Sequence, residues 1–272
     1  MPTLELTFLG SGTSAGVPMI GCTCAVCQST NPRDKRLRTS VVVRYPDGTH
    51  PEIQRTFLID TSPDLRQQAL REPEVLGRLD GVLFTHAHAD HIFGLDELRR
   101  YNTIMGRAIE IHAEESVHAY FRQAFPYIFE SHKNLNTGYV ANLISFTIEP
   151  HVPFELHGAT WTPIRLLHGR LPIVGYRVDF AGKSLAYCTD VSRIPPESYP
   201  LIQGVDLLVL DALRYTHHPT HFTVDQALAA VNELAPKQAY FTHFNHDISH
   251  DELAAQLPKG VAPAYDGLKV VL

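Results

Sequence analysis

The chain has 272 residues, 44% of them apolar, enough to bury a full core, so wholesale disorder is excluded. Its apolar runs, such as Leu207–Leu210, fall far short of the roughly 20 residues needed to cross a bilayer. Lys and Arg total 23 against 29 Asp and Glu, a formal charge of −6, which argues against a broad nucleic-acid surface but not against a small anionic substrate met through bound cations. The opening MPTLELTFLG has neither a basic start nor a long apolar leader, so a cytoplasmic chain without a membrane partner is expected. Sixteen histidines stand against only six lysines, and histidine is both the commonest metal ligand and the usual acid–base residue near neutral pH.

No fixed-period repeat and no Gly/Ser- or Pro-rich linker divides the chain, so residues 1–272 are expected to form a single domain. Short runs rich in Val, Ile, Leu, Phe and Tyr predict strands at Leu4–Leu9, Ser40–Tyr45, Thr56–Ile59, Gly81–Thr85 and Ile109–His112. Further strands are predicted at Thr160–Leu167, Gly175–Phe180, Ser184–Thr189, Asp206–Leu210 and Ala239–His243. Helices are predicted at Pro63–Arg71, with Ser62 as N-cap, and at Leu95–Asn102, Glu114–Gln123, Pro196–Ile202, Val224–Leu234 and His250–Gln256. Thr223 before Val224 reads as a second N-cap. The stretch Ala124–Pro153 follows neither period and reads as an excursion over a site. The alternation of strands and helices predicts a layered α/β fold.

Residues 81–91 read GVLFTHAHADH. An apolar strand ends at Thr85, and His86, His88, Asp90 and His91 follow within six residues. His86 and His88, two apart, point the same way in extended chain, and Asp90 and His91 follow the turn. So dense a cluster at a buried strand end is electrostatically costly without a cation.

This HxHxDH motif resembles the metallo-β-lactamase superfamily, which implies an αββα four-layer sandwich with a two-metal site at one edge of its sheets. The resemblance demands a His, an Asp and a second His at later strand ends. His168 follows Thr160–Leu167, Asp190 ends SLAYCTD and His243 ends AYFTH. By resemblance, His86, His88 and His168 hold one divalent metal (Zn²⁺ or Mn²⁺). Asp90, His91 and His243 hold the other, Asp190 bridges, and Asp90 counts as catalytic as well as a ligand. Asp60, in FLIDTSPD, matches an acidic position that orients the HxHxDH loop, with a strand-capping Asp as the rival reading.

Cys22, Cys24 and Cys27 form a CxCxxC run, which in a cytoplasmic chain reads as a metal site. Three thiolates want a fourth ligand, for which the residues leave His246, His250 or a His from elsewhere open. Cys188, inside a strand pattern, reads as a core thiol. GSGTSAGVPMIGCTCAVC, THAHADHIFGLDELRRYN, LDALRY followed by HPTHFT, and THFNHD are together similar to the family of the phosphoribosyl 1,2-cyclic phosphate phosphodiesterase of the carbon–phosphorus lyase pathway. These segments span residues 7 to about 250. The resemblance implies a structural Zn²⁺ held by the Cys insertion, at about 20–38, together with His246. It also implies a general acid at His221, 22 residues before the last active-site His. His217 and His218, on the same loop, read as solvated competitors.

The expected reaction is hydrolysis of a small cyclic phosphodiester, with 5-phosphoribosyl 1,2-cyclic phosphate as the substrate the resemblance implies and ribose 1,5-bisphosphate as product. Two cations bridge and acidify a water that attacks phosphorus, and the leaving oxygen takes a proton from His221. Gly12–Pro18, Arg99, Arg100, Asn102, Arg214 and Tyr215 are candidates to meet a second phosphate. Rival readings are an RNA 3′-end processing nuclease, a cyclic nucleotide phosphodiesterase and a non-catalytic metal-binding protein. A small phosphorylated substrate, no nucleic acid and a homodimer complete the expected partners.

Overall fold

The computed structural model describes residues 2–130 and 139–272. Its first sheet takes strands β1 (Glu5–Gly10), β2 (Ser40–Pro46), β3 (Gln54–Ile59), β4 (Gly81–Leu83), β5 (Ile109–Ala113) and β6 (Leu143–Thr147). The second takes β7 (Phe154–Leu156), β8 (Ala159–His168), β9 (Leu171–Phe180), β10 (Lys183–Cys188), β11 (Leu207–Asp211), β12 (Gln238–Thr242) and β13 (Val261–Pro263). The last strand, β14 (Lys269–Val271), returns to the first sheet beside β1. The strand orders are β14-β1-β2-β3-β4-β5-β6 and β13-β12-β11-β10-β9-β8-β7.

Strand periodicity sorts the side chains into layers. Val41, Val43 and Tyr45 face inward on β2, as do Leu185 and Tyr187 on β10 and Leu207 and Val209 on β11, and these join Trp161 and Phe57 in the core between the sheets. The alternate residues Val42 and Leu58 face outward and pack with Leu65, Leu98, Tyr101, Val117 and Phe121. On the other side Ala186, Cys188, Leu208 and Leu210 pack with Ala227, Val231, Leu234 and Leu253. Both faces of both sheets are thus covered, which is why these strands read as near-continuous apolar runs. The result is the expected αββα sandwich, with Cys188 a buried core thiol.

The outer helices of the first sheet are α2 (Leu65–Arg71), α4 (Leu98–Met105) and α5 (Glu115–Ala124), with the short turns α1 (Ala25–Gln28) before α2 and α3 (Ala89–Ile92) before α4. The second sheet carries α7 (Tyr199–Ile202), α8 (Val224–Leu234) and α9 (His250–Gln256). Helix α8 begins where the sequence places it: Thr223 Oγ1 accepts from the Gln226 amide and the Gln226 side chain accepts from the Thr223 amide, a reciprocal cap of about 1 kcal/mol. Helix α2 starts two residues later than predicted. Ser62 Oγ accepts from the Asp64 amide and bonds the Gln68 side chain, so it shapes the turn before the helix rather than capping it.

The Ala124–Pro153 expectation needs correction. Residues 131–138 lie outside the described residues. Around them, Pro126–Phe129 is a helical turn (α6) and Leu143–Thr147 is the edge strand β6, paired with β5. The strand went unread because only one neighbour covers it and most of its residues are exposed, so the apolar alternation is weak. Among the described residues no helix is long and apolar enough to cross a membrane.

Candidate metal centre and active site

The centre lies at the carboxyl ends of strands from both sheets, where ligands bind in open α/β sheets. Asp60 follows β3, His86 to His91 follow β4, and His168, Asp190, Asp211 and His243 end or follow β8, β10, β11 and β12. Asp60, Asp190 and His243 have φ of 64°, 57° and 64°, the left-handed region that non-glycine residues seldom adopt. Each costs of order 1–3 kcal/mol and persists only where its surroundings over-determine it.

Those surroundings are visible at Asp60. Its Oδ1 accepts from the Thr85 amide at 2.8 Å, and its Oδ2 accepts from Thr85 Oγ1 at 2.8 Å and meets His91 Nδ1 at 2.7 Å. Asp60 therefore orients the loop and one imidazole, the first of the two readings its sequence allows. His168 is fixed in the same manner, with Nδ1 2.8 Å from the Thr220 carbonyl. In both rings the bond at Nδ1 leaves Nε2 for the centre.

The expected ligands converge. His86, His88 and His168 bring ligand atoms within 4.8 Å of one another, as do Asp90, His91 and His243. Asp190 joins both groups: it clusters with His86 and His91 and also with His168 and His221. Its Oδ2 lies 3.3 Å from His91 Nε2 and its Oδ1 3.2 Å from His243 Nε2. His86 Nε2, His91 Nε2 and both ring nitrogens of His243 are buried without a hydrogen-bond partner. Orphaned polar atoms of that kind are rare and costly, and several converging on carboxylates fit divalent cations. Burial, aided by the neighbouring histidines, pushes His243 down to about 3 and His86 well below the ordinary imidazole range. Burial opposes charge on His91 too, but Asp190, Asp90 and Asp60 outweigh it and raise its pKa.

His221 sits beside this cluster, its ring centroid 4.6 Å from that of His168 and 4.8 Å from that of His243. Its Nδ1 meets Asp211 Oδ2 at 2.7 Å. Asp211 is fully buried, and the same oxygen accepts from the Val191 amide at 2.8 Å. Burial lifts Asp211 to about 7, while Asp211, Asp190 and Asp90 together overcome burial to raise the His221 pKa. Asp211 was not singled out in the sequence. Its signal was there, a carboxylate closing the apolar run LLVL, but one buried acid at a strand end carries no role until its neighbour is known. Of the competitors, His217 is exposed, and His218 is half-buried with its ring 5.0 Å from that of His221.

The second cluster forms as expected. Cys22, Cys24, Cys27 and His246 bring their ligand atoms within 4.8 Å, with His246 Nδ1 3.2 Å from Cys22 Sγ and 3.4 Å from Cys24 Sγ. The Cys27 amide and His246 lower the Cys24 thiol to about 6, whereas burial pushes Cys27 up to about 11. Three sulfurs and one imidazole are a complete tetrahedral zinc set. His250, the other local candidate, is turned away, with its amide on Asp34 Oδ1 and its ring against Tyr265. Three of the side chains put forward to meet a second phosphate, those of Arg99, Asn102 and Arg214, are occupied elsewhere. Arg99 pairs with Asp96, Asn102 bonds the carbonyls of Arg107 and Asn142, and Arg214 bonds those of Thr216 and His217.

Residues 55–244 match the family model described as a Beta-lactamase superfamily domain, about 70% of the chain. The chain belongs to the metallo-β-lactamase superfamily. Within that superfamily it is similar to the crystal structure of a new diphosphatase from the PhnP family, with 43% identity and a TM-score of 0.88 over 100% of this chain and 98% of that one. The Zn²⁺-bound PqqB of Methylobacterium extorquens, at 22% identity and a TM-score of 0.74 over 98% of this chain and 99% of that one, shares the superfamily fold. A protein of Porphyromonas gingivalis named octanoyltransferase is 36% identical over 99% of this chain, which spans only 52% of that relative's length. The chain is thus a superfamily member whose donor set fits divalent cations.

Proposed function

We propose that the chain is a phosphodiesterase acting on a small cyclic phosphodiester, with 5-phosphoribosyl 1,2-cyclic phosphate hydrolysed to ribose 1,5-bisphosphate as the leading substrate. The observation that carries this is His221, a histidine on a buried carboxylate, set beside two adjoining ligand groups. His86, His88 and His168 would hold one divalent cation and Asp90, His91 and His243 a second, with Asp190 common to both. Bound there, Zn²⁺ or Mn²⁺ supplies charge that acidifies water and offsets the negative charge building on phosphorus.

The chain's own residues do the rest. Asp60 and the Thr220 carbonyl hold His91 and His168 in the tautomers that present Nε2. Asp211 holds the His221 ring with Nδ1 toward itself, so Nε2 is the nitrogen that gives its proton to the leaving oxygen as water oxygen bonds to phosphorus and the P–O bond breaks. The other cluster would hold a structural Zn²⁺. The reading takes the chain as one cytoplasmic hydrolase domain, acting as a homodimer on a small phosphorylated substrate without nucleic acid or membrane. Hydrolysis of a phosphoanhydride is the second reading, favoured by the name of the 43%-identical neighbour. We assign the acyl transfer named for the Porphyromonas gingivalis relative to the part of it that this chain does not match.

The test is His221→Ala assayed on a nitrophenyl phosphodiester and on the cyclic sugar ester. The sugar alkoxide is the poorer leaving group, so its kcat should fall by roughly 10²–10⁴ with metal content unchanged, and the nitrophenyl ester should lose far less. Equal losses on both would remove His221 as the acid. Hydrolysis of a pyrophosphate bond in preference to every cyclic ester would select the second reading.

A further inference from the structure

A cleft opens on the far side of His221 from the candidate metal ligands, built from three loops at the carboxyl edge of the second sheet. Arg170 comes from the turn between β8 and β9, Arg193 from the segment after Asp190, and His217 and His218 from the loop after β11. His221 itself lines it, and among the described residues no carboxylate does. Among the described residues neither the Arg170 nor the Arg193 guanidinium pairs with an acid, whereas Arg165 and Arg177 on the neighbouring strands are each tied to one. Two unpaired arginines and three histidines therefore line one cleft of a chain whose formal charge is −6.

The opposite flank of the centre differs. Beside His86 and His88 lies a smaller pocket lined by Tyr120, Leu171, Pro172 and Glu114. The Glu114 carboxylate is already bound by Arg165, with Nη1 to Oε2 at 3.0 Å. That flank is apolar with its charge neutralised. The ring order His88, His168, His221, His218, with successive centroids 5.1, 4.6 and 5.0 Å apart, runs from the apolar pocket to the cationic cleft.

We propose that Arg170, Arg193, His217 and His218 form an anion subsite for a second phosphate, carried on the leaving-group side of the substrate. This rests on His221 as the leaving-group acid. The acid must touch the leaving oxygen, so whatever that oxygen is attached to extends past His221 into the cleft. Arginine forks match phosphate oxygens, and among the described residues the other flank offers no free cation to compete. The two flanks thus set the direction of binding: phosphorylated leaving group toward the arginines, retained phosphoryl group toward His86 and His88.

The experiment uses metal-loaded enzyme and two substrates, 5-phosphoribosyl 1,2-cyclic phosphate and ribose 1,2-cyclic phosphate. Wild type should prefer the phosphorylated ester by roughly 10²-fold in kcat/KM, and Arg170→Gln/Arg193→Gln should collapse that ratio toward one. General damage to the fold lowers both rates and leaves the ratio standing, which would overturn the subsite, as would a wild type indifferent to the 5-phosphate. Calorimetry with ribose 5-phosphate runs alongside. If neither ester is hydrolysed but wild type binds ribose 5-phosphate and the double variant does not, the phosphodiesterase reading falls and the subsite stands. Equal binding by the two proteins, or loss in the variant only of binding to a tRNA transcript, overturns the subsite.

Discussion

The two sheets supply the centre in different ways. The first spends one loop: His86, His88, Asp90 and His91 follow a single strand, and Asp60 from its neighbour holds the loop in place. The second spends one residue per strand end, His168, Asp190, Asp211 and His243. Within the loop, spacing along the chain sets the geometry. Along the second sheet, register sets it: Cys188 pairs with Leu210 and Leu210 with Phe241, so residues beyond these points fall side by side at the ~4.8 Å strand spacing. The difference teaches where a single substitution acts. A change in the loop should disturb one group of ligands, while a change at the edge of the second sheet can disturb ligands and proton donor together.

The sharpest test of that contrast is Asp190→Asn, which alters the one carboxylate common to both ligand groups. We expect at least a 10³-fold loss of kcat and depleted catalytic metal by elemental analysis. Full metal content with nearly normal rate would show that the two groups do not depend on it. The supporting carboxylates come next. Asp60→Asn should weaken metal affinity by roughly 10–100-fold through His91. Asp211→Asn should instead lower kcat by a comparable factor and shift the limb of the pH–rate profile that belongs to the acid, with metal retained. If both variants lose metal equally, the two sheets do not divide these tasks. Cys22→Ser should remove one Zn²⁺ per chain from the separate cluster and lower the thermal midpoint before it lowers the rate.

The smallest effect concerns a histidine of the first sheet outside the centre. His112 on β5 is stacked between Phe146 and Phe154, and burial holds its pKa down to about 4. The unfolded chain takes up this proton near pH 6.5 and the folded one only near 4, so the stability it contributes is complete above 6.5 and is lost as pH falls through 4. The linked term is about 3 kcal/mol at most. His112→Phe should move the acid-unfolding midpoint to lower pH and leave activity alone. A midpoint that does not move would mean other groups govern acid unfolding.

Much of this was legible because the informative residues were adjacent or ordered. GVLFTHAHADH holds a strand, a turn and four ligands in eleven residues, and CTCAVC holds three thiols in six. His168, Asp190 and His243 are legible only through the loop motif, whose resemblance requires ligands at later strand ends. Asp211 escaped because a lone buried acid has many uses and its meaning is its 2.7 Å contact with His221. The edge strand β6 escaped because a strand covered on one side has little apolar signature.

The sequence by itself determined the αββα layering, through apolar runs whose alternate residues feed two faces, and the identity of the candidate ligands. Where spacing alone leaves His246 and His250 open and the resemblance points to His246, the tertiary structure placed His246 on the cysteine cluster; it alone decided which carboxylate holds His221 and on which side of the centre the unpaired arginines lie. Periodicity and motif spacing are properties of neighbours along the chain. These placements join loops from different strands, and only sheet register brings them together.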